Sequence, residues 1–429
     1  MLERGRLKSY IQALRSGSEN ARRDTIQALK PIERADWDHI PNELVKQTVD
    51  ALRQLLPRSQ DNGAKPPLFR QEIVTTLGNI GPRSSPALPQ LVDLLVDGVP
   101  DGIREATATA LGKIGKESRV AIDALIRIVS AHCRIALADR IVRALGDIGC
   151  SDQRVRAVLT SLWQFPIHSQ SNQVQVAIAM CKLGFSAPGV LKFLTATLVS
   201  SRDSTLRKYA IEALSNCNRT EIDVVPALTA ALYDDDEEVR KLAEAALTHM
   251  RLNKAKAIQL CADQLEDATH AETALRKSGQ LAVPALIAAL KSKEPLAREK
   301  AARTLSSLGE LAAEAAPALT ALLNDKQLEV RLAAAKALWN VNKNADAVVP
   351  VLADLLSTKN VPNPEAPDAR RIFFQTVIES LCRIGPSAKA AIPALNRKTK
   401  DENRLVRESA QRALREIGPP LSAAKKTLA

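Results

Sequence analysis

"ALGKIG" at residues 110–115 returns as "ALGDIG" at 144–149, about one helix pair further on. Taking the leucine of this motif as an anchor and following it along the chain gives Leu29, Leu77, Leu111, Leu145, Met180, Leu214, Leu247, Leu275, Leu305, Leu338, Leu381 and Leu414. Most spacings are 33 to 35 residues, the length of two helices and two turns. A sequence with that period is built from stacked supersecondary units, each of which buries its apolar face only against its neighbours.

Three residues beyond the anchor, on the same helix face, stand Ile32, Ile80, Ile114, Ile148, Leu183, Cys217, Met250, Leu308, Val341, Ile384 and Ile417, with Ser278 as the polar exception. This row is predicted to be buried. The next position is glycine in eight copies (Gly81, Gly115, Gly149, Gly184, Gly279, Gly309, Gly385, Gly418) and asparagine in two (Asn218, Asn342). These residues tolerate the left-handed conformation that ends a helix. "IG" therefore reads as a buried last turn and its stop signal.

Segments such as "AVPALIAAL" and "AAPALTALL" follow the stops, with proline where the first turn of an incoming helix accepts it. Between the helices of a pair an acid precedes an arginine by six residues: Asp234 and Arg240, Asp325 and Arg331, Asp401 and Arg407. An arginine seven before the anchor recurs as Arg22, Arg70, Arg104, Arg207, Arg240, Arg298, Arg331 and Arg407. These features resemble the HEAT-repeat family over essentially the whole chain, most strongly over 70–250 and 280–418. The resemblance implies an all-α, right-handed α-solenoid of about twelve helix pairs. It also implies a structural ladder between neighbouring repeats that uses Arg104, Arg207, Asp234, Arg240, Arg298, Asp325, Arg331, Asp401 and Arg407. Ala138, Gln173, Ala268 and Phe374 stand at the arginine position in the other copies, where the ladder is expected to be interrupted. Because the arginines recur with the repeat itself, a structural role outranks phosphate binding.

The composition agrees with an array. Hydrophobic residues make up 45% of the 429 but aromatics only 3%, which suits many small helix contacts better than one large core. No run reaches the length of a membrane span, and the charged start "MLERGRLKSY" lacks an apolar signal region, so a cytoplasmic protein is expected. The cysteines Cys133, Cys150, Cys181, Cys217, Cys261 and Cys382 are scattered and read as reduced. The formal charge is +12; residues 386–429 hold ten Lys or Arg against four Asp or Glu, so half of the excess lies there.

Nothing marks catalysis, and no cofactor is expected. Within the wider HEAT-like group, deoxyhypusine hydroxylase holds iron through His-Glu dipeptides, whereas His39, His132, His168, His249 and His270 are each followed by another residue. His132 and His168 occupy comparable turns, with Cys133 beside the first, but no further ligand has metal-site spacing. A HEAT-like alkylpurine DNA glycosylase needs an acid beside aromatics in a basic groove; Trp37, Trp163 and Trp339 are far apart and read as packing residues. The phycobilin lyase group has similar repeats, yet no residue here marks bilin handling. "DDDEEVR" at 234–240 lacks EF-hand spacing and reads as an acidic helix start.

In HEAT arrays the second helices line the concave surface. Positions six before, two before and two after the anchor should then face a partner. From Leu77 onward these three rows contain ten basic and eight acidic residues, a mixture unsuited to tracking a phosphate backbone. The expected function is a non-catalytic scaffold for a protein partner, with Lys113, Arg143, Lys182, Arg303, Lys336, Arg383 and Arg412 as partner-binding candidates. The alternatives are a nucleic-acid-binding solenoid using the basic C-terminal end, or an accessory subunit of the phycobilin lyase kind. Long inter-helix turns at 56–67 and 357–370 lie on one edge and are further contact candidates. Spacing falls to 28 residues between Leu247 and Leu275. The chain is therefore expected to divide into an arm at 1–250, a short degenerate repeat at 251–279 that acts as a hinge, and an arm at 280–429.

Overall fold

The computed structural model describes residues 4–56, 69–131, 134–164, 170–216, 224–358 and 368–418. Among them every regular element is a helix or a short 3-10 turn, arranged as consecutive pairs. The chain divides into two compact units, Met1–Arg219 and Thr220–Ala429.

In the first unit the pairs are Arg4–Ser16 with Glu19–Leu29, Asn42–Gln54 with Arg70–Ile80, Leu88–Asp93 with Asp101–Ile114, Ile122–Ser130 with Ile135–Ile148, Gln153–Gln164 with Gln170–Lys182, and Val190–Ser200 with Ser204–Asn216. A short extra helix, Arg34–Asp38, follows the first pair. The second unit continues with Val224–Ala231 and Glu237–His249, Lys254–Asp263 and Ala271–Ser278, Val283–Ala289 and Pro295–Leu308, Ala316–Leu322 and Leu328–Asn342, Ala345–Ser357 and Ala369–Ile384, and Ile392–Lys398 and Arg404–Ile417. The protein is an all-α solenoid. Each anchor lies near the end of a second helix, and Leu29, Leu77, Leu111, Leu275, Leu305, Leu338 and Leu381 are fully buried.

The stop signals follow the expected chemistry with three instructive departures. Gly81, Gly115 and Gly385 leave their helices with φ of 76°, 75° and 68° and ψ of −143°, −138° and −140°, a region that only glycine occupies at low cost. Gly418 does not follow them: its φ of −73° and ψ of 168° continue the chain as extended backbone. At Asn342 the helix runs one residue further, and Lys343 takes the left-handed turn with φ 56°. Arg251 does the same after Met250 with φ 59°. Ser278, polar in an apolar row, is buried because its hydroxyl donates to Ala274 O at 2.8 Å within its own helix.

Second helices lie directly on second helices along the first unit. The glycine of "ALG" makes this possible. A Cβ built on Gly146 would stand 2.9 Å from Ala179 Cα, one on Gly78 2.8 Å from Ala110 Cα, and one on Gly112 3.2 Å from Ala144 Cα. In each case the residue after one anchor faces the alanine before the next, so two backbones meet without side chains between them. In the second unit the eighth pair is irregular. Its short helix Ala271–Ser278 packs mainly on Val224–Ala231, Lys254–Asp263 and Pro295–Leu308. A cavity of about 500 Å³ lies along Glu237, Lys241, Glu244 and Thr248 of the preceding second helix and reaches Asn253 and Lys254 at the start of the eighth pair.

Candidate protein-binding face

In four of the pairs the turn between the helices is held by the arginine that opens the second helix. Arg298 Nη1 donates to Ser292 O and Lys293 O at 3.0 and 2.9 Å. Arg407 Nη1 donates to Asp401 O and Glu402 O, both at 2.8 Å, and Arg240 Nη1 to Asp234 O and Asp235 O at 2.6 and 3.1 Å. Arg207 Nη1 donates to Ser201 O at 2.9 Å. These carbonyls stand at the same positions before the anchor, so the arginine that opens the second helix closes the turn behind it.

The ladder between pairs is clearest at Asp325. Its carboxylate accepts from Arg298 Nε at 2.8 Å and Nη2 at 3.0 Å, a forked bond from the preceding pair, and its Oδ1 also accepts from Gln327 N at 2.9 Å. Burial works to raise the Asp325 carboxyl, but the bonds from Arg298 and Gln327 and the charges of Arg298 and Arg331 outweigh it, holding the group below the usual carboxylate range. Arg331 reaches outward to Asp354 Oδ2 at 3.2 Å. Arg104 pairs with Asp101 in its own helix start. In two of the four copies that lack the arginine, those with Ala138 and Phe374, an arginine four residues earlier serves. Arg134 meets Asp101 at 3.5 Å beside Ala138. Arg370 and Lys398 meet Asp401 Oδ2 at 3.3 and 3.1 Å across the ring of Phe374, with Lys398 Nζ 3.2 Å from the ring centroid. Sequence reasoning missed Arg134 and Arg370; the signal was an arginine one helical turn before the vacant position.

"DDDEEVR" is a helix cap: Asp236 accepts from Glu238 N at 2.8 Å and Val239 N at 3.2 Å. Trp37 is completely buried, and Trp163 packs edge-on against Phe193 with ring centroids 5.4 Å apart. Burial pushes the Cys261 thiol up to about 11, against smaller lowering contributions from Thr229 and the backbone; burial and then Glu416 push Cys382 up to about 11. Both are therefore protonated and poorly nucleophilic at neutral pH. Among the described residues no three His, Cys, Asp or Glu side chains cluster as metal ligands would, and no helix is long and apolar enough to cross a membrane. His132, Cys133, His168, Cys217, Asn218, most of the turns at 56–67 and 357–370, and residues 419–429 lie outside the described residues.

The exposed sides of the second helices carry depressions. In the first unit a cavity of about 230 Å³ is lined by Gln71, Thr75, Glu105, Thr109 and Lys113, all in the three expected rows, together with neighbouring second-helix residues. In the second unit a larger cavity of about 550 Å³ lies on four successive second helices; Glu299, Arg303, Ser307, Leu332, Lys336, Asn340 and Arg383 of its lining belong to the same rows.

The seven candidate cations separate into three kinds. Lys182 Nζ donates to Asp147 Oδ1 and Glu212 Oε1, both at 2.8 Å. Burial alone would lower it, and the two carboxylates raise it above an ordinary lysine. Arg143 donates to Gln175 Oε1 at 3.2 Å and lies 4.9 Å over the Tyr209 ring; Arg303 meets Glu272 at 3.1 Å and Glu299 at 3.5 Å. These three are engaged by side chains of their own or neighbouring second helices. Lys113 donates to the neutral Asn79 Oδ1 at 2.7 Å, and Arg412 stands 3.9 Å from Glu416. Lys336 and Arg383 form neither a hydrogen bond nor an ion pair among the described residues.

The sequence matches the model for HEAT repeats over residues 7–112, 166–248, 191–277, 263–339 and 283–366, more than half of its length. The chain belongs to the HEAT-repeat family. A comparison with curated proteins found no match. Solved structures similar to this HEAT-repeat chain include the CpcE–CpcF complex of phycocyanin lyase from Nostoc sp. PCC7120, with 21% identity over 59% of this chain and 91% of that one and a TM-score of 0.38. Human deoxyhypusine hydroxylase shares 20% identity over 71% of this chain and 97% of its own, with a TM-score of 0.28. The karyopherin Kap121p bound to the extreme C-terminus of the phosphatase Cdc14p shares 15% identity over 96% of this chain and 50% of its own, with a TM-score of 0.37. Scores this low assign neither activity nor partner to the HEAT-repeat chain.

Proposed function

We propose that the protein is a non-catalytic cytoplasmic scaffold that binds a protein partner on the exposed face of its second helices. The carrying observation is the cavity on the second unit. Its lining brings Arg276, Arg303, Lys336 and Arg383 together with Glu272, Glu299 and Glu329, beside the apolar Leu332 and Ala333. A surface of both charge signs with apolar ground between them suits the varied side chains of a protein. A nucleic acid presents one repeated sign, which the three glutamates would repel. The final helix supports the same reading. Arg404 and Arg412 each face a glutamate four residues on, at 2.7 and 3.9 Å, and Arg407 is spent on turn carbonyls. Much of the described positive charge at that end is thus already engaged.

Affinity capture from the cells of origin, with and without nuclease, tests the reading. Nuclease-resistant protein partners are expected, with recovery reduced by Lys113→Glu combined with Arg412→Glu, two exposed positions whose changes leave the core intact. Recovery abolished by nuclease would transfer the function to nucleic-acid binding.

A further inference from the structure

The large cavity of the second unit holds an unpaired charge. Leu328–Asn342 packs closely on Pro295–Leu308 but touches Ala369–Ile384 only lightly, and Lys336 and Arg383 stand where these helices part. Both also line a slot of about 20 Å³ beneath, floored by Trp339, Val348, Leu352 and Ile384. Other polar groups of the lining are occupied. Asn340 Nδ2 donates to Ser306 Oγ at 2.8 Å, Ser307 Oγ to Thr304 O at 2.7 Å, Thr376 Oγ1 to Ile372 O at 2.8 Å, and Arg303 is forked on Glu272. Arg276 and Arg383 are exposed and can keep their hydration, whereas Lys336 is half-buried.

A half-buried ammonium without a counter-ion is unfavourable, because burial removes water from the charged form and leaves no protein partner in its place. Burial, then the like charges of Arg383 and Arg303, hold Lys336 below an ordinary lysine; Glu379 opposes them in part. An arriving anion would supply the missing partner. The glutamates decide which anion. The lining has four cations and three carboxylates, and Glu379, whose charge also reaches Lys336, brings the local sum to balance. A single carboxylate can pair with Lys336 and Arg383 while adding one negative charge, whereas a phosphate dianion adds two and is repelled more strongly by Glu272, Glu299 and Glu329.

We propose that this cavity is a carboxylate-recognition site, in which Lys336 and Arg383 receive one Glu or Asp side chain from an extended, otherwise neutral segment of the protein partner. The proposal rests on the scaffold reading and adds the chemistry of the bound segment. Arg383 offers a planar fork matched to a carboxylate, and Lys336 a point charge on the deeper side. Arg303, held by Glu272 and Glu299, sets the edge of the site and keeps its own charge out of competition.

The test uses the full chain and a fluorescein-labelled Gly-Ser peptide with one central Glu, its Gln counterpart, and a ten-residue oligothymidylate. The Glu peptide is expected to bind with a dissociation constant below about 1 mM, and Lys336→Gln and Arg383→Gln are each expected to weaken it about tenfold or more, as loss of one charge-assisted contact does. Lys46→Gln, an exposed position on the first helix Asn42–Gln54 of the other unit and outside the three rows, should leave it unchanged. Acetylation of the Lys336 amine should slow when the Glu peptide is added. Lys336→Gln should melt no lower than the parent, since it removes an uncompensated charge, so lost binding is not lost folding. The site is overturned by a Glu peptide that binds no better than the Gln peptide, or by undiminished binding in both variants. It is equally overturned by oligothymidylate binding with the same dependence on Lys336 and Arg383, which would make it a phosphate site. If cellular capture yields no protein while Lys336-dependent peptide binding persists, the scaffold reading fails alone. Captured partners combined with peptide binding indifferent to both variants would remove only this site.

Discussion

Arg298→Ala should be among the most damaging single changes in the second unit. The guanidinium is only 14% exposed and the Asp325 side chain 8%, so both charges are largely out of water and each depends on the other. Removing the arginine strands a buried carboxylate, a loss of about 3 to 5 kcal/mol for a fully buried pair. Residual solvent access and the remaining bond from Gln327 N to Asp325 reduce this to about 2 to 4 kcal/mol. The two released turn carbonyls, Ser292 O and Lys293 O, are near the surface and regain water at little cost. Denaturant unfolding of Arg298→Ala, Asp325→Ala and the double variant measures the pair, with a coupling of about 1 to 3 kcal/mol expected. The coupling should also depend on pH in a set direction. The folded carboxyl of Asp325 lies below its ordinary value of 3.8, so its contribution is present above that value and lost as pH falls through the depressed folded one. A loss below about 0.5 kcal/mol, or additive single variants, would refute the reasoning.

By the same logic Arg331→Ala should cost less than about 1 kcal/mol, because its partner Asp354 is 65% exposed; equal losses for Arg331 and Arg298 in the same assay would contradict this. Gly146→Ala should destabilise by about 1 to 3 kcal/mol by forcing two helix backbones apart, and Gly112→Ala by less, since its added methyl has 3.2 Å instead of 2.9 Å to the facing Cα. Reversal of Lys182 to Glu, beside Asp147 and Glu212, should lower the melting temperature of the first unit, and a variant as stable as the parent would show that these pairs contribute nothing. Amides of 254–278 should exchange faster than those of 104–114 and 331–341, because the eighth pair has a short second helix and a cavity at the start of its first. Equal protection in all three would remove the hinge expected at 251–279.

The repeat, its helix ends and the face each helix buries were determined by the sequence alone. An apolar pair at three-residue spacing followed by glycine states a buried last turn and a stop wherever it occurs, because burial and backbone conformation are local consequences of residue type. The three exposed rows were legible for the same reason: 3.6 residues per turn places them once the buried row is known. Which of the seven candidate cations is free to meet a partner was not legible. Lys182 and Lys336 sit in adjacent positions of the same pattern, yet one is clasped by Asp147 and Glu212 and the other stands unpaired at the parting of two helices. That difference is set by the neighbouring repeats, some thirty residues away in each direction. In the same way the sequence announced an arginine ladder, but only packing could assign Arg298 to Asp325, or let Arg370 and Lys398 replace an absent arginine across the ring of Phe374. A charge finds its partner through space over a few ångströms, and the distances between repeats are decided by how closely their backbones pack.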